Sequence, residues 1–295
     1  MVGSSVAILF GPPLVRELTG QTRVAGLRAD GLTRTYRLHL PARRATRPGL
    51  VVALHGARSS GLELEAESGL DAQADRLGWA VAYPDGVGRD WDAFGCCHRP
   101  GVDDVAFIVS LIDRVAADHG VDLDRVYVTG HSRGAMMAYR LGCELSGRLA
   151  AIAPVAGNMA DPGGSVRAVD CRPGRRLSVL AINGAEDPEI PIAGGPSRVL
   201  REGIDYAPLD DVIGRWRELD GCAAPASQTA SGSSTSRAWR CAGGSEVRSV
   251  VVAGGGHAWP GTGLINPPWS PAAAFDAPGT IAGFFAAHPR APAAA

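Results

Sequence analysis

The stretch VYVTGHSRGAMMAYRLG, residues 126–142, decides how the rest of the chain is read. It opens on a β-branched and aromatic apolar run suited to a buried strand. It passes through Gly130-His131-Ser132-Arg133-Gly134 and continues in Ala, Met and Leu, which favour helix. A serine between glycines where a strand becomes a helix sits on a sharp turn. The small neighbours let that turn pack closely, and the hydroxyl stands above a helix N-terminus that favours negative charge. This context points to a nucleophile rather than an ordinary Gly/Ser turn.

Similar apolar runs recur at 35–40, 50–56, 79–85, 149–157, 177–184 and 247–254 and read as further strands. Helical patterns lie between them. The clearest starts at Asp103 and Asp104, suited to capping, carries Val105, Ile108, Val109, Ile112 and Val115 on one stripe, and stops at Gly120. Alternating strands and helices predict an α/β fold with a mostly parallel central sheet covered on both faces. In such sheets ligands bind beyond the carboxyl ends of the strands.

A serine hydroxyl needs a base, and the base needs a carboxylate. Of seven histidines, His257 follows the last strong strand in VVVAGGGHAWPG, where three glycines free the backbone to return the imidazole over the sheet. After the strand at 177–184 comes AEDPEIPI, residues 185–192, in which Asp187 is the first candidate and Glu186 and Glu189 are rivals, with Asp205 more distant. The order Ser132, Asp187, His257 is that of α/β-hydrolases. The loop after the strand at 50–56 then offers the Ala57 amide, and the residue after the serine the Arg133 amide, as an oxyanion hole. Trp259, Trp91 and His131 are candidate substrate-side residues, since pockets are largely apolar and aromatic.

With 295 residues and a net charge of −1, the chain makes no electrostatic case for nucleic acid or an anionic membrane surface. Its basic residues are Arg and His, with no lysine. No apolar run approaches the roughly 20 residues that span a bilayer. The first 15 residues have no basic residue ahead of their apolar patch and make a poor secretory signal. One domain over residues 25–290 is expected, with an extension at 1–24 and a tail at 291–295. Of the six cysteines, Cys222 and Cys241 bracket a Ser/Ala/Gly-rich stretch that a disulfide could tether. Adjacent Cys96, Cys97 and His98 suit one tetrahedral metal poorly, so no metal is expected there.

The motifs together resemble the polyhydroxybutyrate depolymerase–feruloyl esterase family of α/β-hydrolases. The residues carrying the resemblance are DGLTRTYRLHLP, LVVALHG, WDAFGCC, VDDVAFIVSLID, RVYVTGHSRGAMMAYRLGC, APVAG and GGGHAWPG. The resemblance implies a serine esterase, often extracellular, without metal or organic cofactor, acting on hydroxyalkanoate, feruloyl or acetyl esters through an acyl-enzyme. It maps Ser132, Asp187 and His257 onto the triad. The same triad also serves acyltransferases and amidases, and a hydrolase fold can serve as a binding protein. Arg133 stands where a smaller or amide side chain is common, and a positive charge at the mouth would favour anionic substrates.

Overall fold

The computed structural model describes residues 21–93, 97–160, 171–199, 203–224, 226–261 and 274–290. Among these, ten strands form one sheet in the order β1-β2-β4-β3-β5-β6-β7-β12-β11-β10. They are β1 (Gln21–Ala29), β2 (Leu32–Leu40), β3 (Leu50–Leu54), β4 (Ala80–Pro84), β5 (Val126–His131), β6 (Ala151–Val155), β7 (Ser178–Gly184), β10 (Ser227–Ser231), β11 (Ser234–Arg240) and β12 (Glu246–Val252). The central run from β4 to β12 is parallel, while both edges are antiparallel. Strands β8 (Gly195–Pro196) and β9 (Asp205–Tyr206) pair in a separate small sheet.

Burial explains why the centre was readable. Every residue of β3, β4, β6 and β7 is buried, which demands the continuous apolar runs seen in the sequence. Among the described residues six helices cover the two faces: α1 (Gly61–Ser68), α2 (Leu70–Leu77), α3 (Asp104–His119), α4 (Arg133–Leu145), α5 (Leu209–Asp220) and α6 (Ala277–Ala287). Phe107 and Leu111 of α3, Met136 and Tyr139 of α4 and Trp216 of α5 fill the core on one face. Leu64 of α1, Leu70 of α2, and Ile281 and Phe285 of α6 fill the other. There Tyr127 stacks between Trp79 and Phe285, with centroids 5.2 and 4.6 Å away. Each such fully buried side chain contributes about 1.5–3 kcal/mol of transfer free energy.

Helix α3 is capped as expected: the Asp103 carboxylate accepts from the Ala106 amide at 2.9 Å, and Gly120 closes the helix at φ 67°. Its buried stripe is turned from the expected one, because Phe107 and Leu111 point inward while Val105 and Val109 are half-buried. Asp104 does not serve the helix dipole alone. It is buried, paired with Arg34 at 2.7 Å, and accepts the Asp92 amide at 2.7 Å.

Two further expectations change. Strand β1 begins at Gln21 and pairs along nine residues with β2, so the expected domain start at residue 25 falls inside a strand. The stretch between Cys222 and Cys241 contains the hairpin β10–β11, turned at Gly232 with φ 55°. The Cys222–Cys241 disulfide is present and ties the end of α5 to the end of β11. A second bridge, Cys143–Cys171, holds the end of α4. The expected tail at 291–295, and Cys96, lie outside the described residues.

Candidate active site

Ser132 follows β5 immediately and is followed by α4. Its backbone is held at φ 55°, ψ −116°, a region a non-glycine residue enters only under constraint. The flanking glycines are required by close approach. A Cβ on Gly134 would lie 2.0 Å from the Leu54 carbonyl oxygen, and one on Gly130 would lie 2.4 Å from the Gly134 carbonyl oxygen. The turn is pressed between β3 and its own helix, which lifts the serine off the sheet.

Two later strand ends deliver the partners. Asp187 lies three residues past β7 and His257 five past β12. Gly184 makes room for the histidine loop: a Cβ there would sit 2.3 Å from the carbonyl oxygens of both Gly255 and Gly256. His257 Nδ1 is 2.8 Å from Asp187 Oδ2, and Nε2 is 2.8 Å from Ser132 Oγ. The carboxylate can only accept, so Nδ1 carries the proton and Nε2 is left to accept from the serine hydroxyl. Asp187 is buried, and its other oxygen accepts the amides of Glu189 at 2.8 Å and Ile190 at 2.9 Å. The rivals read in the sequence sit differently around the ring. Asp187 faces Nδ1, Glu186 is exposed, and Glu189 lies instead on the Nε2 side with Oε2 at 3.4 Å.

His131 lies behind His257, ring centroids 5.2 Å apart, and its Nε2–H donates to the His257 carbonyl at 2.6 Å. Burial and the neighbouring His257 pull the His131 pKa down to about 4, so it is neutral near pH 7. Glu67 approaches its other nitrogen at 3.7 Å, and burial pushes that carboxyl up to about 7.

A small open groove lies at Ser132, lined by Ala57, Arg58, Arg133, Met136, Glu189, Ile190 and Tyr206. Three expected substrate-side residues are absent from this lining. Trp91 is fully buried, donates its indole N–H to the His55 carbonyl at 2.9 Å and packs on the His55 ring, so it supports the loop before Ala57. Trp259 is buried and meets His131 edge-on at 6.2 Å, and His131 holds the His257 loop. In their place stand Met136, Ile190 and Tyr206, none of which the sequence singles out as a substrate-side residue. Arg133 departs from expectation as well. Its side chain is buried, with Nε 3.5 Å from Asp90 Oδ1 and a further contact to Cys97 Sγ, so its charge is met by a carboxylate rather than offered at the mouth.

The arrangement can activate a hydroxyl by a base whose tautomer is fixed, beside a groove with apolar and charged walls. Comparison with known proteins agrees with that chemistry. The family model described as Esterase PHB depolymerase matches residues 34–205. An inferred esterase, NocK of Nocardia uniformis subsp. tsuyamanensis, is 37% identical over 268 residues, covering 78% of this chain and 72% of the relative. Feruloyl esterase B of Piromyces equi is 29% identical over 214 residues, covering 71% of this chain but only 39% of its own length. Among solved structures, an acetyl xylan esterase from Aspergillus awamori superposes with a TM-score of 0.61 at 19% identity, covering 80% of this chain and 94% of that one, a likeness of fold.

Proposed function

This chain belongs to the Esterase PHB depolymerase family, and from that premise we propose that it hydrolyses carboxylic esters with Ser132 as nucleophile, His257 as base and Asp187 as orienting carboxylate. The observation carrying the reading is the continuous hydrogen-bonded line Asp187–His257–Ser132, with both links 2.8 Å. Ser132 Oγ attacks the ester carbonyl carbon while its proton passes to His257 Nε2. The carbonyl oxygen takes the electron pair and is held by the amides of Ala57 and Arg133. As the tetrahedral species collapses, His257 gives the proton to the departing alcohol. Water repeats the sequence on the acyl-enzyme and frees the acid.

The substrates are esters of the hydroxyalkanoate, feruloyl or acetyl type, by the company of its relatives. The site of action is extracellular. Two disulfides support an oxidising compartment, and no helix among the described residues is long and apolar enough to cross a membrane. A fluorophosphonate probe tests the nucleophile: wild type labels and Ser132→Ala does not. Short p-nitrophenyl esters, methyl ferulate, acetylated xylan and hydroxybutyrate oligomers on one preparation then rank the acyl groups. Labelling that persists in Ser132→Ala overturns the proposal.

A further inference from the structure

We propose that Glu189 is a second catalytic carboxylate, acting on the reactive nitrogen of His257 opposite the side held by Asp187. The proposal rests on the triad reading above and adds a residue to it. Glu189 Oε2 lies 3.4 Å from His257 Nε2, the atom that receives the serine proton and returns it to the leaving group. Its position is built rather than incidental. Its own amide donates to Asp187 Oδ1 at 2.8 Å, so the turn that fixes the first carboxylate also aims the second. Pro188 and Pro191 bracket that turn and restrict its backbone.

The charges around His257 divide cleanly. Asp187 meets Nδ1, while Glu189 and the Ser132 hydroxyl meet Nε2. His131 lies behind the ring, and Glu67 beyond it, its carboxyl pushed up to about 7 by burial, is largely uncharged on the acid limb. Arg58 and Arg133 line the groove on the serine side, the latter beside Asp90.

In the resting state Nε2 carries a lone pair, and a carboxylate beside it gains nothing. When the Oγ–C bond forms, the proton moves from Oγ to Nε2 and the ring becomes a cation. Glu189 then attracts that cation without taking its proton, which must still reach the leaving oxygen. The stabilisation therefore appears where charge develops. The same attraction in the free enzyme favours the protonated ring, so it moves the acid limb of activity to higher pH. Glu189 is 19% exposed in an open groove, so water screens the pair. At 3.4 Å and a water-like dielectric the effect on the limb is about one pH unit.

The test follows the pH dependence of two rates, fluorophosphonate inactivation and p-nitrophenyl acetate hydrolysis. The proteins are wild type, Glu189→Gln, Glu189→Ala and the exposed neighbour Glu186→Gln. Both Glu189 variants are expected to lower the acid-limb pKa by about one unit and the plateau rate about 3- to 10-fold. Glu186→Gln is expected to leave the limb in place. A merely structural Glu189 would lower the rate at every pH without moving the limb. A limb within about 0.2 unit of wild type in both Glu189 variants, each folded by circular dichroism, overturns the proposal. Ser132→Ala separates the two readings. If it still labels, the triad reading fails; if it does not label and the Glu189 limbs stay put, only the Glu189 proposal fails.

Discussion

Replacing Asp187 by Asn and by Ala separates two jobs that one carboxylate performs. Oδ1 accepts two backbone amides, from Glu189 and Ile190, while Oδ2 accepts one imidazole N–H from His257. In Asp187→Asn the side chain must choose which end faces which partner. With its oxygen toward the amides it keeps two bonds. With its NH₂ toward them it loses both and sets donor against donor, at about 1–3 kcal/mol for each orphaned group. The oxygen therefore stays on the amides and the NH₂ faces His257 Nδ1. That nitrogen must then accept, the ring proton moves to Nε2, and Nε2 can no longer take the serine proton. The expected result is a fall of about 10⁴ in kcat with the loop and its stability intact. Asp187→Ala strands both buried amides as well. It should lose kcat comparably and also about 2–6 kcal/mol of stability, read as a Tm lower by about 4–10 °C. The assays are single-turnover acylation with a p-nitrophenyl ester and scanning calorimetry on the same preparations. Asn retaining kcat within about tenfold of wild type, or Ala melting with wild type, would refute the division of labour.

Gly134→Ala should give little soluble, labelling-competent protein, because its Cβ would lie 2.0 Å from the Leu54 carbonyl oxygen and force β3 and α4 apart; a variant with wild-type Tm contradicts this. Cys222→Ser with Cys241→Ser opens a 19-residue loop far from the triad and should cost about 3 kcal/mol of stability with kcat unchanged. The check is a urea melt beside an activity assay. Glu67→Gln tests a pH linkage. Folding raises the Glu67 pKa from 4.5 to about 7, so its stabilising share is present at low pH and is lost as pH rises through that window. His131, lowered from 6.5 to about 4, works oppositely and gains stability as pH rises between those values. The two largely cancel in the wild type. The Gln variant should show the His131 rise alone, with Tm climbing between about pH 4 and 6.5 and exceeding wild type above pH 7; parallel Tm profiles count against it.

The parallel centre of the sheet was legible because burial on both faces leaves only apolar side chains, as in LVVAL of β3 and AVAYP of β4. The edges were not. β1 alternates exposed and half-buried residues, and β10 is exposed along its whole length. Its SQTAS carries no hydrophobic period and reads as linker. What makes it a strand is the neighbour β11, with Trp239 buried beneath, and that is a tertiary fact. The stripe of α3 was misread by a fraction of a turn for a related reason. Val105 and Val109 fit an apolar face as well as Phe107 and Leu111, and only the packed sheet chooses between them.

The three residues of the proposed triad were legible because each follows a strand whose apolar signal is strong, and the turn chemistry beside each is steric necessity at Gly134 and Gly184. The groove walls were not, since Tyr206 joins the lining at Ser132 from a two-residue strand. Arg133 is the instructive case. A cation in the first turn of a helix opposes the helix dipole, so its burial needs a compensating anion. Asp90 supplies it. Asp90 belongs to the loop after β4, where the Arg89 carbonyl accepts the Arg58 amide at 2.7 Å and the Arg89 side chain reaches the Ser59 carbonyl. That tie holds the loop bearing Ala57. The Arg133 side chain therefore acts through Asp90 on the same loop that carries the other proposed oxyanion donor. A buried arginine that looked like a substrate contact in the sequence is better understood as a tie between the first turn of α4 and the loop after β4.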